Sequence, residues 1–215
     1  MKLFSVFVIA FILNVLPAKS TPFFTPKPAV DTALEKAKKL HVLYLRETAA
    51  KDPAQIAYYQ RQFFYEFPNN FRMLNKLYGT TNGKPGYLNE VADKHISDVF
   101  NIITAIGDTA YYTKIIAIAA DGVWDTYGVN YFQTGLKMRV LKNADLAMYL
   151  VLRLPAKKVS NFWHFFFDSL YPEREIPNYL KEAASVNQNL YNLMVAAHQA
   201  VMNERDSDAN PVGEK

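Results

Sequence analysis

An all-α fold is what this 215-residue sequence predicts: a compact domain of about eight or nine helices packed as an irregular antiparallel bundle. Three observations predict it. Apolar residues recur at three- and four-residue steps almost throughout, the period of a helix face. Capping residues, prolines and glycines punctuate that period at short intervals. No segment alternates apolar and polar residues over a useful length; the best strand candidate, YLVLRL at 149–154, continues a capped helix and reads as its end.

The N-terminal residues stand outside that pattern. Lys2 is followed by an apolar run of about fourteen residues, Leu3 to Leu16, broken only by Ser5 and Asn14. Pro17 then interrupts it, and Ala18-Lys19-Ser20 has the small-x-small form of a cleavage site. This is the layout of a cleaved signal peptide over 1–20, and the run is short of the roughly twenty residues that span a bilayer. The mature chain is therefore expected to begin at Thr21, exported to the periplasm or the extracellular medium. Cysteine is absent, which removes both a lipid-anchored export signal and any disulfide. Burial alone must hold the exported chain together.

The elements follow in order. TPFFTPKP at 21–28 is an extended, proline-rich lead-in. A single helical domain is expected over 29–205. Val30, Leu34, Ala37, Leu40 and Tyr44 form its first buried stripe, with lysines opposite. Asp52-Pro53 supplies an N-cap acceptor and a first-position proline for a helix carrying Ile56, Tyr59, Phe63 and Phe67, and Pro68 ends it. Asn69 and Asn70 cap a short helix through Phe71, Leu74 and Leu77, stopped by Gly79. TTNGKPG at 80–86 reads as a loop. A longer helix from Tyr87 or Leu88 to Gly107 carries Val91, His95, Val99 and Ile103. Asp108 caps the next, through Ile115 and Ile116 to about Gly122. A helix from about Trp124 to Leu141 turns Tyr127, Tyr131 and Val140 to the core. Asn143 caps another through Leu154, and Pro155 separates it from an aromatic helix. Pro177 starts the last helix, with Leu180, Ala183, Leu190, Met194, Ala197 and Val201 buried. Asp206 to Lys215 is a polar tail, expected to be disordered. FFYEFPNN at 63–70 and FFFDSLYPER at 165–174 echo each other, which we read as two helices ending alike rather than as an internal duplication.

Function is far less legible. Of 24 Lys and Arg, Lys2 and Lys19 leave with the signal, so 22 face 20 acids and the net charge falls from +4 to +2. That balance argues against a nucleic-acid partner. With no second long apolar run, no membrane span is expected in the mature chain. The four histidines fall in no metal-ligand spacing, no phosphate-loop motif occurs, and neither metal nor cofactor is expected.

NFWHFFFDSLYP at 161–172 is the densest stretch, with six consecutive ring-bearing residues before an aspartate. On a helix His164 and Asp168 are neighbours at i and i+4, half of an acid–base arrangement. Ser160 lies four residues earlier, but side chains stacked along one helix do not have the in-line geometry of a Ser-His-Asp triad. The simpler reading makes the pair a polar strip on a central helix whose Phe162, Trp163, Phe165, Phe166 and Phe167 are core. WDTYGVNYFQTGL at 124–136 mixes aromatic and amide side chains around Gly128 and Gly135. Glycine inside a helix points to close approach of another helix or a ligand. Trp124, Tyr127, Asn130, Tyr131 and Gln133, with Trp163, are therefore candidate binding residues. No complete catalytic set is assembled. The favoured expectation is a non-enzymatic module that binds a protein or peptide. The alternatives are an envelope enzyme acting on a glycan or peptide through His164 and Asp168, and a protective partner of a secreted toxin.

Overall fold

The computed structural model describes residues 31–209; the expected signal peptide and lead-in, and residues 210–215, lie outside them. Asp31 opens the described chain as a helix cap, its carboxylate accepting from the Ala33 amide at 3.0 Å. Helix α1 (Thr32–Ala49) buries Ala33, Ala37, Leu40, Leu43 and Glu47. Leu34, expected in that row, faces solvent. The first turn is tied by Asp31 to Lys76 and Tyr87, and that fixes its rotation.

Asp52 and Pro53 start α2 (Pro53–Glu66) as expected, the carboxylate accepting from the Gln55 amide at 3.0 Å. The short Ala50–Asp52 connection makes α1 and α2 antiparallel neighbours. Asn70 caps α3 (Phe71–Tyr78), whose buried face is Phe71, Leu74, Leu77 and Tyr78.

The segment after Gly79 is not a plain loop. Strands β1 (Thr80–Thr81) and β2 (Lys84–Pro85) pair antiparallel across Asn82 and Gly83, with φ of 51° and 72°. Positive φ at both central residues is the turn whose twist matches a hairpin, and Asn-Gly is its preferred sequence. The long helix expected to Gly107 is broken into a 3₁₀ turn at Asn89–Val91, α4 (Ala92–Asn101) and a second 3₁₀ turn at Ile102–Ala105.

Helix α5 (Asp108–Ala119) is capped by Gly107, with Asp108 as its first residue rather than its cap. Helix α6 (Gly128–Lys142) begins four residues later than expected. At Gly128 any side chain would run into the Tyr78 carbonyl, and at Gly135 into the Phe100 ring. Both glycines thus mark helix packing. Asn143 caps α7 (Ala144–Val151), which stops short of Leu154. Helix α8 (Ala156–Phe167) follows Pro155. The expected last helix is two, α9 (Asn178–Ala184) and α10 (Gln188–Ala209). Asn187 separates them by accepting from the Leu190 amide at 2.9 Å, a helix cap missed in the sequence. α10 continues four residues into the segment expected to be a disordered tail.

The chain is an all-α domain with an aromatic core. α8 is its centre: all five of its large aromatics are buried and α10 packs along it. Phe165 meets Phe71 of α3 and Phe132 of α6, and Phe132 meets Phe100 of α4 at 5.5 Å between centroids. Each such ring contributes ~2–3 kcal/mol by burial. No helix among the described residues is long and apolar enough to cross a membrane.

Candidate functional site

His164 and Asp168 do not form a pair. α8 ends at Phe167, and Asp168 follows with extended backbone (φ −62°, ψ 137°), so the i, i+4 relation is lost at the last step. Each side chain instead meets α10. His164 Nε2 lies 3.0 Å from a Glu204 carboxylate oxygen, and Arg205 donates to Asp168 at 2.7 Å. Ser160 is likewise spent locally, its hydroxyl donating to the Ala156 carbonyl at 3.3 Å. The polar strip exists, but as two separate ties between α8 and α10.

The six candidate binding residues divide. Trp163 is fully buried and stacks on Phe167 at 5.7 Å. Gln133 is 2% exposed, and its amide donates to the carbonyls of Phe165 and Asp168. These lie at the C-terminal end of α8, where carbonyls lack intrahelical donors, so Gln133 caps a neighbouring helix. Trp124 and Asn130 are half-buried, and the Arg205 guanidinium sits 5.5 Å from the Trp124 ring centre. Tyr127 and Tyr131, expected to face the core, face solvent.

Those two tyrosines belong to a larger feature. Tyr127, Tyr131, Met138 and Leu141 are 57%, 47%, 58% and 58% exposed, and exposed Thr134 completes steps of four, three, four and three. The inner face of the same helix is Val129, Phe132, Leu136 and Val140, all buried. α6 is therefore apolar on two opposite sides, and only one of them is used by the core. The sequence carries both stripes; choosing between them required knowing that Gly128 and Gly135 face inward or sideways against Tyr78 and Phe100.

A second polar constellation lies between α1 and α4. His95 is fully buried, its ring 4.6 Å from Tyr44 and 5.6 Å from His41, with the Tyr78 hydroxyl 3.3 Å from Nδ1. Burial, aided by His41, pushes its pKa down to about 4, so the imidazole is neutral at pH 7. Beside it, burial and the neighbouring Glu47 carboxylate push Asp98 up to about 7. Gln60 donates to the other Glu47 oxygen at 3.0 Å. Asp98 thus keeps a proton in mild acid, because burial and a like charge so close both disfavour its ionised form. His41 reaches from this cluster to a surface cleft of about 420 Å³ lined by Pro85 to Val91. Both His95 and Asp98 lie on the apolar face of α4, and a histidine with an acid three residues on was the signal available in the sequence.

Among the described residues no three His, Cys, Asp or Glu side chains are arranged to hold a metal ion. No protein-family model matches the chain, and neither a curated protein nor a solved structure is detectably similar to it.

Proposed function

We propose that the chain is an exported, non-enzymatic module that binds a helical segment of another protein, in the cell envelope or outside the cell. The observation that carries the reading is the outer face of α6. Three large apolar side chains of the helix at heptad-like steps, Tyr131, Met138 and Leu141, with Tyr127 exposed just before its first turn, match what the seam between two helices requires. Together they expose roughly 400–500 Å² of side-chain surface, the upper range of patches on a monomer and a class often functional. A partner helix laying its own apolar row along the stripe would cover it. Export rests on the layout of residues 1–20, and the binding reading is preferred to an acid–base enzyme because His164 and Asp168 are committed to separate partners on α10.

The test is site-specific photo-crosslinking of the secreted chain in its native medium and envelope. The cross-linker is placed at Met138 on the stripe and, as a control, at exposed Lys157 on α8. One protein captured stoichiometrically from position 138 and not from 157 supports the reading. Its affinity should then fall roughly tenfold on Tyr131→Ala, a loss of about 1–2 kcal/mol typical of an interface anchor. Equal capture from both positions, or none from position 138, refutes it.

A further inference from the structure

α3 and the β1–β2 hairpin enclose a cleft of about 820 Å³, within the size range of small-ligand pockets and lined by no residue of α6. Three cations line it: Arg72 and Lys76, one helical turn apart on α3, and Lys84 on β2. No carboxylate lines it. Lys76 is answered from the edge by Asp31 at 2.9 Å, while Arg72 and Lys84 make no ion pair among the described residues. The apolar part of the wall comes from the exposed rings of Pro85 and Tyr87, with only the edge of the otherwise buried Phe71.

The cleft is held in shape from several sides. The Leu88 amide donates to the Leu77 carbonyl at 2.7 Å, and the Gly86 amide to the Gly79 carbonyl at 2.8 Å. Gly86 packs so closely on the Leu77 carbonyl that a Cβ there would overlap it. Tyr87 is oriented by its hydroxyl, which donates to Asp31 at 2.5 Å. The cations on the two walls therefore face one space between anchored elements. Like charges gathered around one concavity raise its potential and draw an anion to it.

We propose that this cleft binds a small organic anion carrying at least two negative charges beside a flat ring. Arg72 contributes the planar, two-pronged donor that suits phosphate or carboxylate. Lys84 supplies a point charge from the opposite wall, and the second charge of the anion lies between them. Tyr87 and Pro85 take the ring. A monoanion leaves one of the two unpaired cations unanswered, and a neutral ring gains nothing from either.

The experiment is calorimetric titration of the mature chain at low salt with three probes: a nucleoside 5′-monophosphate, benzene-1,3-dicarboxylate, and the uncharged nucleoside. Binding of either anion at least 30-fold tighter than the nucleoside is expected, and which anion binds tighter distinguishes phosphate from carboxylate chemistry. Arg72→Ala and Lys84→Ala are each expected to weaken that anion by roughly tenfold, since each removes one charge-assisted contact. Both side chains are exposed, so unchanged thermal unfolding verifies that the variants are folded. Absence of binding by both anions at millimolar concentration overturns the proposal. So does anion binding that the double variant leaves unchanged.

Discussion

Gln133→Leu tests the core argument most directly, because leucine keeps the size of glutamine and removes only its amide. The Gln133 amide serves the carbonyls of Phe165 and Asp168 at the end of α8. Leaving a buried carbonyl without a donor costs about 1–3 kcal/mol. The Phe165 contact is buried and carries that full penalty, whereas the Asp168 contact is only partly buried and water recovers some of its loss. Against this, burying leucine in place of an amide returns on the order of 1 kcal/mol. The net expectation is a loss of about 2 kcal/mol, which for a domain of this size lowers Tm by roughly 4–8 °C. In urea, with m near 2 kcal/mol/M, the midpoint falls by about 1 M. Gln133→Glu should be worse at neutral pH, since it sets a carboxylate against two carbonyls, and should recover partly in acid as that carboxylate takes a proton. A urea midpoint for Gln133→Leu within about 0.2 M of the wild type would refute the capping role.

Three other experiments probe different parts of the molecule. Gly135→Ala gains about 1 kcal/mol of helix propensity, but its Cβ overlaps the ring of Phe100, which is itself packed on Phe132; overpacking of about 1–3 kcal/mol wins, and urea unfolding should show net destabilisation. A double-mutant cycle on Asp168 and Arg205 should give a coupling of about 1 kcal/mol, because the carboxylate is mostly buried, while His164 and Glu204 should give under about 0.5 kcal/mol at their more exposed site. For pH, the folded chain keeps a proton on Asp98 that the unfolded chain releases above 3.8, so this group stabilises in acid and its contribution is lost as pH rises through about 7. His95 acts oppositely: the folded chain lacks a proton that the unfolded chain binds below 6.5, so its contribution is lost as pH falls through about 4. The two slopes oppose each other between about pH 4 and 6.5. Asp98→Asn leaves the His95 slope alone, with His41, Tyr44, Glu47 and Asp93 around it, and urea midpoints at pH 4.5 and 6.5 should then rise with pH more steeply than in the wild type.

Local signals were legible, and their limits were physical. Asp52, Asn70 and Asn143 were readable as caps because an acceptor at the N-cap and the amide two or three residues on are fixed within one turn. The aromatic run at 162–167 was readable as core because rings pointing all around a helix have nowhere else to go. The end of α8 was not readable: no glycine or proline follows until Pro172, and the chain leaves the helix at Asp168, where Gln133 and Arg205, distant in sequence, take its backbone and side chain. The His164/Asp168 pairing failed for that reason alone. Asn82-Gly83 carried a hairpin signal, but the strands on either side are two residues each and show no alternation. The orientation of α6 was undecidable from periodicity, since both of its stripes have helical spacing.

The two tryptophans give this fold a pair of built-in optical reporters. Trp163 sits in the centre of the core against Phe162, Phe166 and Phe167, so its emission is that of an indole without water and shifts to the red only when the core opens. Trp124 lies half-buried in the turn before α6, with the Arg205 guanidinium of α10 over its ring. Its intensity follows whether the far end of α10 is docked. Trp124→Phe and Trp163→Phe would separate the two signals without a dye. Loosening of α10 from the α6 turn could then be timed independently of global unfolding, and occupancy of the neighbouring Tyr127–Leu141 stripe could be followed in the same cuvette.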